Sequence, residues 1–223
     1  MIVMPANNSK GIVHYWAGRY PGKIGWLLGT NGWRTPPDYI PYALDNGRFI
    51  ATTQGLAWDE KAFMELLDKA MTCERKPLWV VVPDVVGDAH ATFAEWDVWA
   101  KKLEVYGIPL AMAAQDGMTP DDLRQRAAEV CFLGGTTSWK RNNIWKFCHA
   151  LPRVHVGRVN TERWLWECDK AGAESCDGTG WFRGCTTQLN GLKRYLSRQS
   201  LGLTARQKEI AFADTFLFPQ GDE

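Results

Sequence analysis

Aspartates, an amide and paired glycines recur directly behind short apolar runs of this chain. Leu78–Val82 (LWVVV) leads into Pro83-Asp84, and Pro109–Ala114 (PLAMAA) into Gln115-Asp116-Gly117. Val130–Leu133 opens into Gly134-Gly135-Thr136-Thr137. Val154–Val156, with His155 inside it, opens into Gly157-Arg158, and Glu174–Cys176 into Asp177-Gly178-Thr179-Gly180. A carboxylate is a competent nucleophile and leaving group at an oxocarbenium-like carbon. Glycines let a ligand approach the main chain closely. Taken singly, Asp84, Asp116 and Asp177 are also what turns and helix caps require. Their recurrence behind successive runs is what points to one shared pocket.

The runs that carry them alternate with helical patterns. Asp59–Cys73 is amphipathic. Asp88–Tyr106 has helical spacing and is stopped by Gly107. Thr119-Pro120-Asp121-Asp122 reads as a helix start, with a Thr cap, Pro at the first position and acids in the first turn. A helix follows through Trp145 and His149. Asn160 is expected to cap the next, which runs to Lys170 and ends at Gly172. Two more begin near Thr187 and Thr204. In the N-terminal part, Ile12–Tyr15, Ile24–Leu28 and Phe49–Thr52 are expected as strands, with the Gly/Pro-rich stretch GTNGWRTPPDYIP between the last two. Alternating strands and helices imply parallel pairing with right-handed crossovers, and eight such units close into a barrel. The fold class is therefore α/β, a compact (β/α)₈ TIM-type barrel with N-terminal helices shortened or replaced by loops. An open doubly wound sheet is the alternative, but no GxGxxG follows any strand. Residues 1–223 are expected to form a single domain.

Composition narrows the class. The 223 residues are 45% hydrophobic and 23% charged, ordinary for a globular protein. No stretch approaches the ~20 apolar residues that span a bilayer, and no basic-then-apolar leader opens the chain. A cytoplasmic protein is expected, in the host cytoplasm if a phage encodes it. The net charge is +1, so a polyanion would need a local patch. Lys193–Lys208 and Lys140, Arg141 and Lys146 are candidates, each equally readable as a solvated helix face. Six cysteines show no CxxC pair, and reduced thiols are expected. Most of the twelve tryptophans should be packing residues.

Six segments, in order, resemble tRNA-guanine transglycosylases, and more closely the DpdA-type relatives that place 7-deazaguanines in DNA. They are ALDNGRF (43–49), VVPDVVGD (81–88), AAQDG (113–117), FLGGTTSWK (132–140), VHVGRVN (154–160) and ESCDGTGW (174–181), covering about 140 residues. The resemblance implies a base-exchange enzyme with Asp177 as nucleophile and Asp45 as general acid/base. It implies that Asp84 and Gln115 read the base, with the Gly134 and Gly135 main chain at its carbonyl. The family's CxCxxC zinc motif is absent, so no metal or cofactor is expected. Asn46, Arg48 and Asp116 replace family glycines, which separates the chain from tRNA specificity.

The expected partners are DNA, with tRNA as the alternative, and a free 7-deazaguanine-type base. No membrane is expected, and a homodimer is compatible with the relatives. The target nucleotide must leave its stack. His155, Arg158, Lys140, Trp139 and Trp181 are candidate contacts to base, sugar or phosphate. Core packing is the competing role for the tryptophans and His155, and a plain surface charge for Arg158 and Lys140. An N-glycosidase using the same carboxylates with water, or a non-catalytic nucleic-acid-binding barrel, would fit the same residues.

Overall fold

In a computed structural model, described for residues 1–6 and 11–200 (without the Ser200 side chain), the apolar runs form one parallel sheet. Its strands are β1 (Ile2–Pro5), β2 (Trp26–Leu28), β3 (Tyr42–Leu44), β4 (Val80–Val81), β5 (Leu110–Ala114), β6 (Val130–Leu133), β7 (Val154–Val156) and β8 (Ser175–Gly178). They run in the order β1-β8-β7-β6-β5-β4-β3-β2. Isolated parallel bridges, Val3 to Ile24 and Ala6 to Leu27, join the two ends. The sheet thus closes into a (β/α)₈ barrel.

The helices are α1 (Ile12–Arg19), α2 (Arg48–Gln54), α3 (Glu60–Thr72), α4 (Ala89–Leu103), α5 (Pro120–Gln125), α6 (Thr137–Ala150), α7 (Glu162–Ala171) and α8 (Thr186–Ser200). Between β2 and β3, residues 29–41 carry no helix, the loop replacement expected on the N-terminal side. Asp59, Asp88, Thr136 and Thr161 cap α3, α4, α6 and α7 through their side chains, each satisfying a free N–H of a first turn.

Strand residues alternate between two cores. Val3, Tyr42, Leu44, Val80, Met112 and Val156 point outward and pack under the helices. Met4, Leu27, Ala43, Trp79, Val81, Ala111 and Ala113 fill the lumen, with Phe132 against them. The alanines make room for the two large rings. Each lumen face continues, two residues at a time, to the C-terminal rim: Ala43 to Asp45, Ala113 to Gln115, Phe132 to Gly134, His155 to Gly157, Ser175 to Asp177. The period of the strands therefore delivers the polar residues to one end.

Three expectations are corrected. Ile12–Tyr15 is the start of α1, whose buried Val13, Trp16 and Ala17 follow helical spacing. Phe49–Thr52 lies in α2, which buries no residue fully and so carries no apolar signature. The Asp45 and Asn46 carboxylate and amide oxygens accept from the N–H groups of Gly47 and Arg48, turning the chain into that helix. Strands β1 and β3 take the places of those two runs. Asn160 is not a helix cap, a role that Thr161 fills. The helix expected near Thr204, with Arg206 and Lys208, lies outside the described residues. No described helix is long and apolar enough to cross a membrane.

Candidate active site

Asp177 ends the lumen face of β8, beside Met4 of β1. Its Oδ1 lies 3.1 Å from His155 Nε2 and accepts the Arg158 N–H at 3.1 Å. His155 Nδ1 lies 2.8 Å from Ser175 Oγ. A carboxylate only accepts, so in a neutral imidazole Nε2 carries the proton and the Ser175 hydroxyl donates to Nδ1. The ring is fully buried, stacked on Phe132 at 4.8 Å and edge-on to Trp79 at 4.7 Å. Apolar packing from below and hydrogen bonds from two sides thus fix Asp177 through one oxygen. The other, Oδ2, accepts no hydrogen bond among the described residues and is the atom left for a ligand.

Asp45 stands across the mouth, on the rim after β3. It is surrounded by protein yet partly open, as a group at the bottom of a cleft is. Burial raises its pKa, and the charge of Asp177 raises it further, while the Gly47 N–H and His155 oppose the shift. The two carboxylates therefore share one field at one end of the barrel. Asp84, behind β4, joins them. Burial pushes it up to about 6 against the Asn46 hydrogen bond, and the charge of Asp45 adds to the rise.

Both oxygens of Asp84 are held by amides: Asn46 Nδ2 donates to one and Gln115 Nε2 to the other, each at 2.8 Å. Gln115 Oε1 accepts the Gly87 N–H at 3.0 Å. Gln115 is thus a holder of Asp84. Asn46 has the same role and was missed from sequence, because nothing in its spacing separates it from a turn asparagine. Gly134 gives its N–H to the Ala114 carbonyl at 3.0 Å, and the Gly135 N–H has no partner among the described residues. Gly135 has φ of 65°, and a Cβ there would press on the Asp116 carboxylate and the Trp139 ring, so glycine is strongly favoured. Asp116 itself accepts from the Thr136 N–H and hydroxyl, tying the loops after β5 and β6 together.

The rim is closed by Arg158. Its guanidinium donates to the Gly135 carbonyl and lies 4.7 Å over the Phe49 ring. Arg158 is exposed, and its backbone N–H is the one that Asp177 accepts. Trp139 is half-buried, its edge toward Phe147 at 5.6 Å. Three candidate contacts are corrected. Trp181 is 1% exposed and packs in the outer core, its Nε1 donating to the Asn160 carbonyl. His155 is buried and holds Asp177. Lys140 is fully buried, its Nζ donating to the Gly157 carbonyl, so it belongs to no surface patch with Arg141 and Lys146. Asn160, missed as a site residue, accepts from the N–H groups of Thr179 and Gly180 and ties the loop behind Asp177 to that behind β7.

Of the Lys193–Lys208 cluster, Arg194 is paired with Glu162 at 2.6 Å. All six cysteines are free, and Cys185 is exposed. Among the described residues no three His, Cys, Asp or Glu side chains gather as metal ligands. No protein-family model and no curated protein matches the chain.

Proposed function

We propose that the protein is a base-exchange transglycosylase that replaces guanine in DNA with a 7-deazaguanine base through a covalent glycosyl-aspartate. The observation that carries this reading is that Asp45 and Asp177 stand at one barrel mouth, near enough for the charge of Asp177 to add to the rise in the Asp45 pKa that burial causes. The motif resemblance, with Asp84 held between two amides, supports the kind of base.

Oδ2 of Asp177 attacks C1′ of the flipped nucleotide. The C1′–N9 bond breaks, and its electron pair leaves with the guanine. Asp45, kept protonated more readily by its raised pKa, gives the departing base a proton. The sugar is then an ester of Asp177. Asp45, now a carboxylate, takes a proton from the incoming base, whose nitrogen attacks C1′ while the ester C–O bond breaks. Two displacements restore the original anomer. Ionised Asp84 accepts from N1–H and the exocyclic amine, and the Gly135 N–H meets the carbonyl. Adenine, lacking those donors, would leave buried groups unpaired.

The test is incubation of the protein with DNA and labelled guanine or 7-deazaguanine, followed by counting label in polymer. Label enters DNA with wild type and not with Asp177→Ala, which stays folded. Abasic sites without label would instead establish hydrolysis. Label entering tRNA and not DNA would move the substrate assignment to tRNA. Unchanged turnover in Asp177→Ala would refute the mechanism.

A further inference from the structure

A lysine with no exposed surface, set in an apolar wall, requires a partner for its charge. Lys140 projects from α6, outside the barrel, and its Nζ donates to the carbonyl oxygen of Gly157. The other half of that same peptide group is the Arg158 N–H, which donates to Oδ1 of Asp177 at 3.1 Å. Ammonium, peptide and carboxylate form one chain, with the peptide dipole pointing its negative end at the cation and its positive end at the anion. Hydrogen bonds in such a chain polarise one another.

The geometry is imposed. Arg158 has φ of 58°, a left-handed conformation uncommon outside glycine. Its guanidinium is anchored on Gly135 and Phe49. A Cβ at residue 157 would stand 3.0 Å from the Phe132 ring, so the peptide lies flat against the lumen packing.

We propose that Lys140 is a positioning residue for Asp177: its ammonium, acting through the Gly157–Arg158 peptide, fixes and polarises the N–H that holds Oδ1, and so presents Oδ2 to the sugar. A lysine in direct contact with Asp177 would occupy the attacking oxygen. Relayed through the barrel wall, the charge supports the carboxylate and leaves that oxygen free. Only the kinetic consequence of this role rests on the base-exchange reading.

The groups facing Lys140 are Arg158 and Arg141, which with burial lower its pKa to about 8, and Asp177 and Cys168, which raise it. In uniformly ¹⁵N-labelled wild type, the Arg158 amide resonance is expected to move as pH rises, with a midpoint of about 8, and Lys140→Met removes that step. A resonance unmoved across this range overturns the proposal, whether or not the variant folds. In the exchange assay, Lys140→Met lowers kcat roughly 10- to 100-fold, the effect of one charge-assisted hydrogen bond, with KM for the free base unchanged. Lys140→Arg recovers part of the rate. A folded Lys140→Met with wild-type kcat also overturns it. If wild type exchanges no base while the Arg158 amide still follows Lys140, the relay stands and the transglycosylase reading fails.

Discussion

Asp84 sits between two amide donors and is nevertheless pushed up to about 6, because burial outweighs them. In the proposed exchange it accepts from the base as a carboxylate, so kcat/KM for the free base should fall as pH drops through about 6. The Asn46 hydrogen bond opposes the rise. Asn46→Ala should therefore move the acid limb of the pH–rate profile to higher pH, and a limb that stays in place removes Asp84 from base binding. In stability the sign is inverted relative to a salt-bridged aspartate. The folded state holds this proton more tightly than the unfolded chain, so the group favours folding most below its ordinary range, and that contribution fades as pH climbs to about 6. His155 gives a second test. His155→Phe keeps the stack on Phe132 and Trp79 but strips a partner from Asp177 and Ser175. A stability loss of about 1–3 kcal/mol in urea unfolding should accompany near-complete loss of exchange. Retained exchange would show that Asp177 needs no such support.

At the scale of elements, the junction between β7 and α7 separates two tasks that neighbouring residues perform. Thr161 caps the helix, and Asn160 ties the loop behind Asp177. Thr161→Ala should cost about 1 kcal/mol of stability and leave kcat unchanged. Asn160→Ala should lower kcat, since it frees the Thr179 and Gly180 N–H groups. Equal kinetics in the two variants would contradict this division. The pair also marks where sequence stops being legible. Asn and Thr are both good caps, and only the path of the chain decides which one turns inward. Strands β5 to β8 were readable because each apolar run is bounded by Gly, Pro or Asp. Strand β3 was not read although Pro41 and Asp45 bound it, and α2 buries nothing fully and so shows no period. That Asp84 and Asp177 reach one rim was legible from their positions behind apolar runs, whereas Asp45 follows a strand that was not expected from the sequence. Asn46, and the true task of His155, became visible only through their partners.

For the molecule as a whole, the lumen sets both firmness and polarity. Trp79 and Phe132 fill the cylinder beneath the rim, in one cluster with Ala43, Ala111 and Ala113. Trp79→Ala should open a cavity and cost about 3–5 kcal/mol, read as a lowered urea midpoint with unchanged slope. A much smaller loss would mean that the lumen collapses to fill the gap.

The two-residue step from packing side chain to rim side chain has a consequence for how this chain can change. Inserting one amino acid inside β5 or β8 would send Gln115 or Asp177 out beneath the helices and bring an outward-facing side chain into the opening. Inserting it beyond the rim glycines would lengthen a loop and leave every polar group where it was. The strand segments are thus a fixed reading frame for the rim, and the stretches past it are where a lineage can vary without displacing those groups.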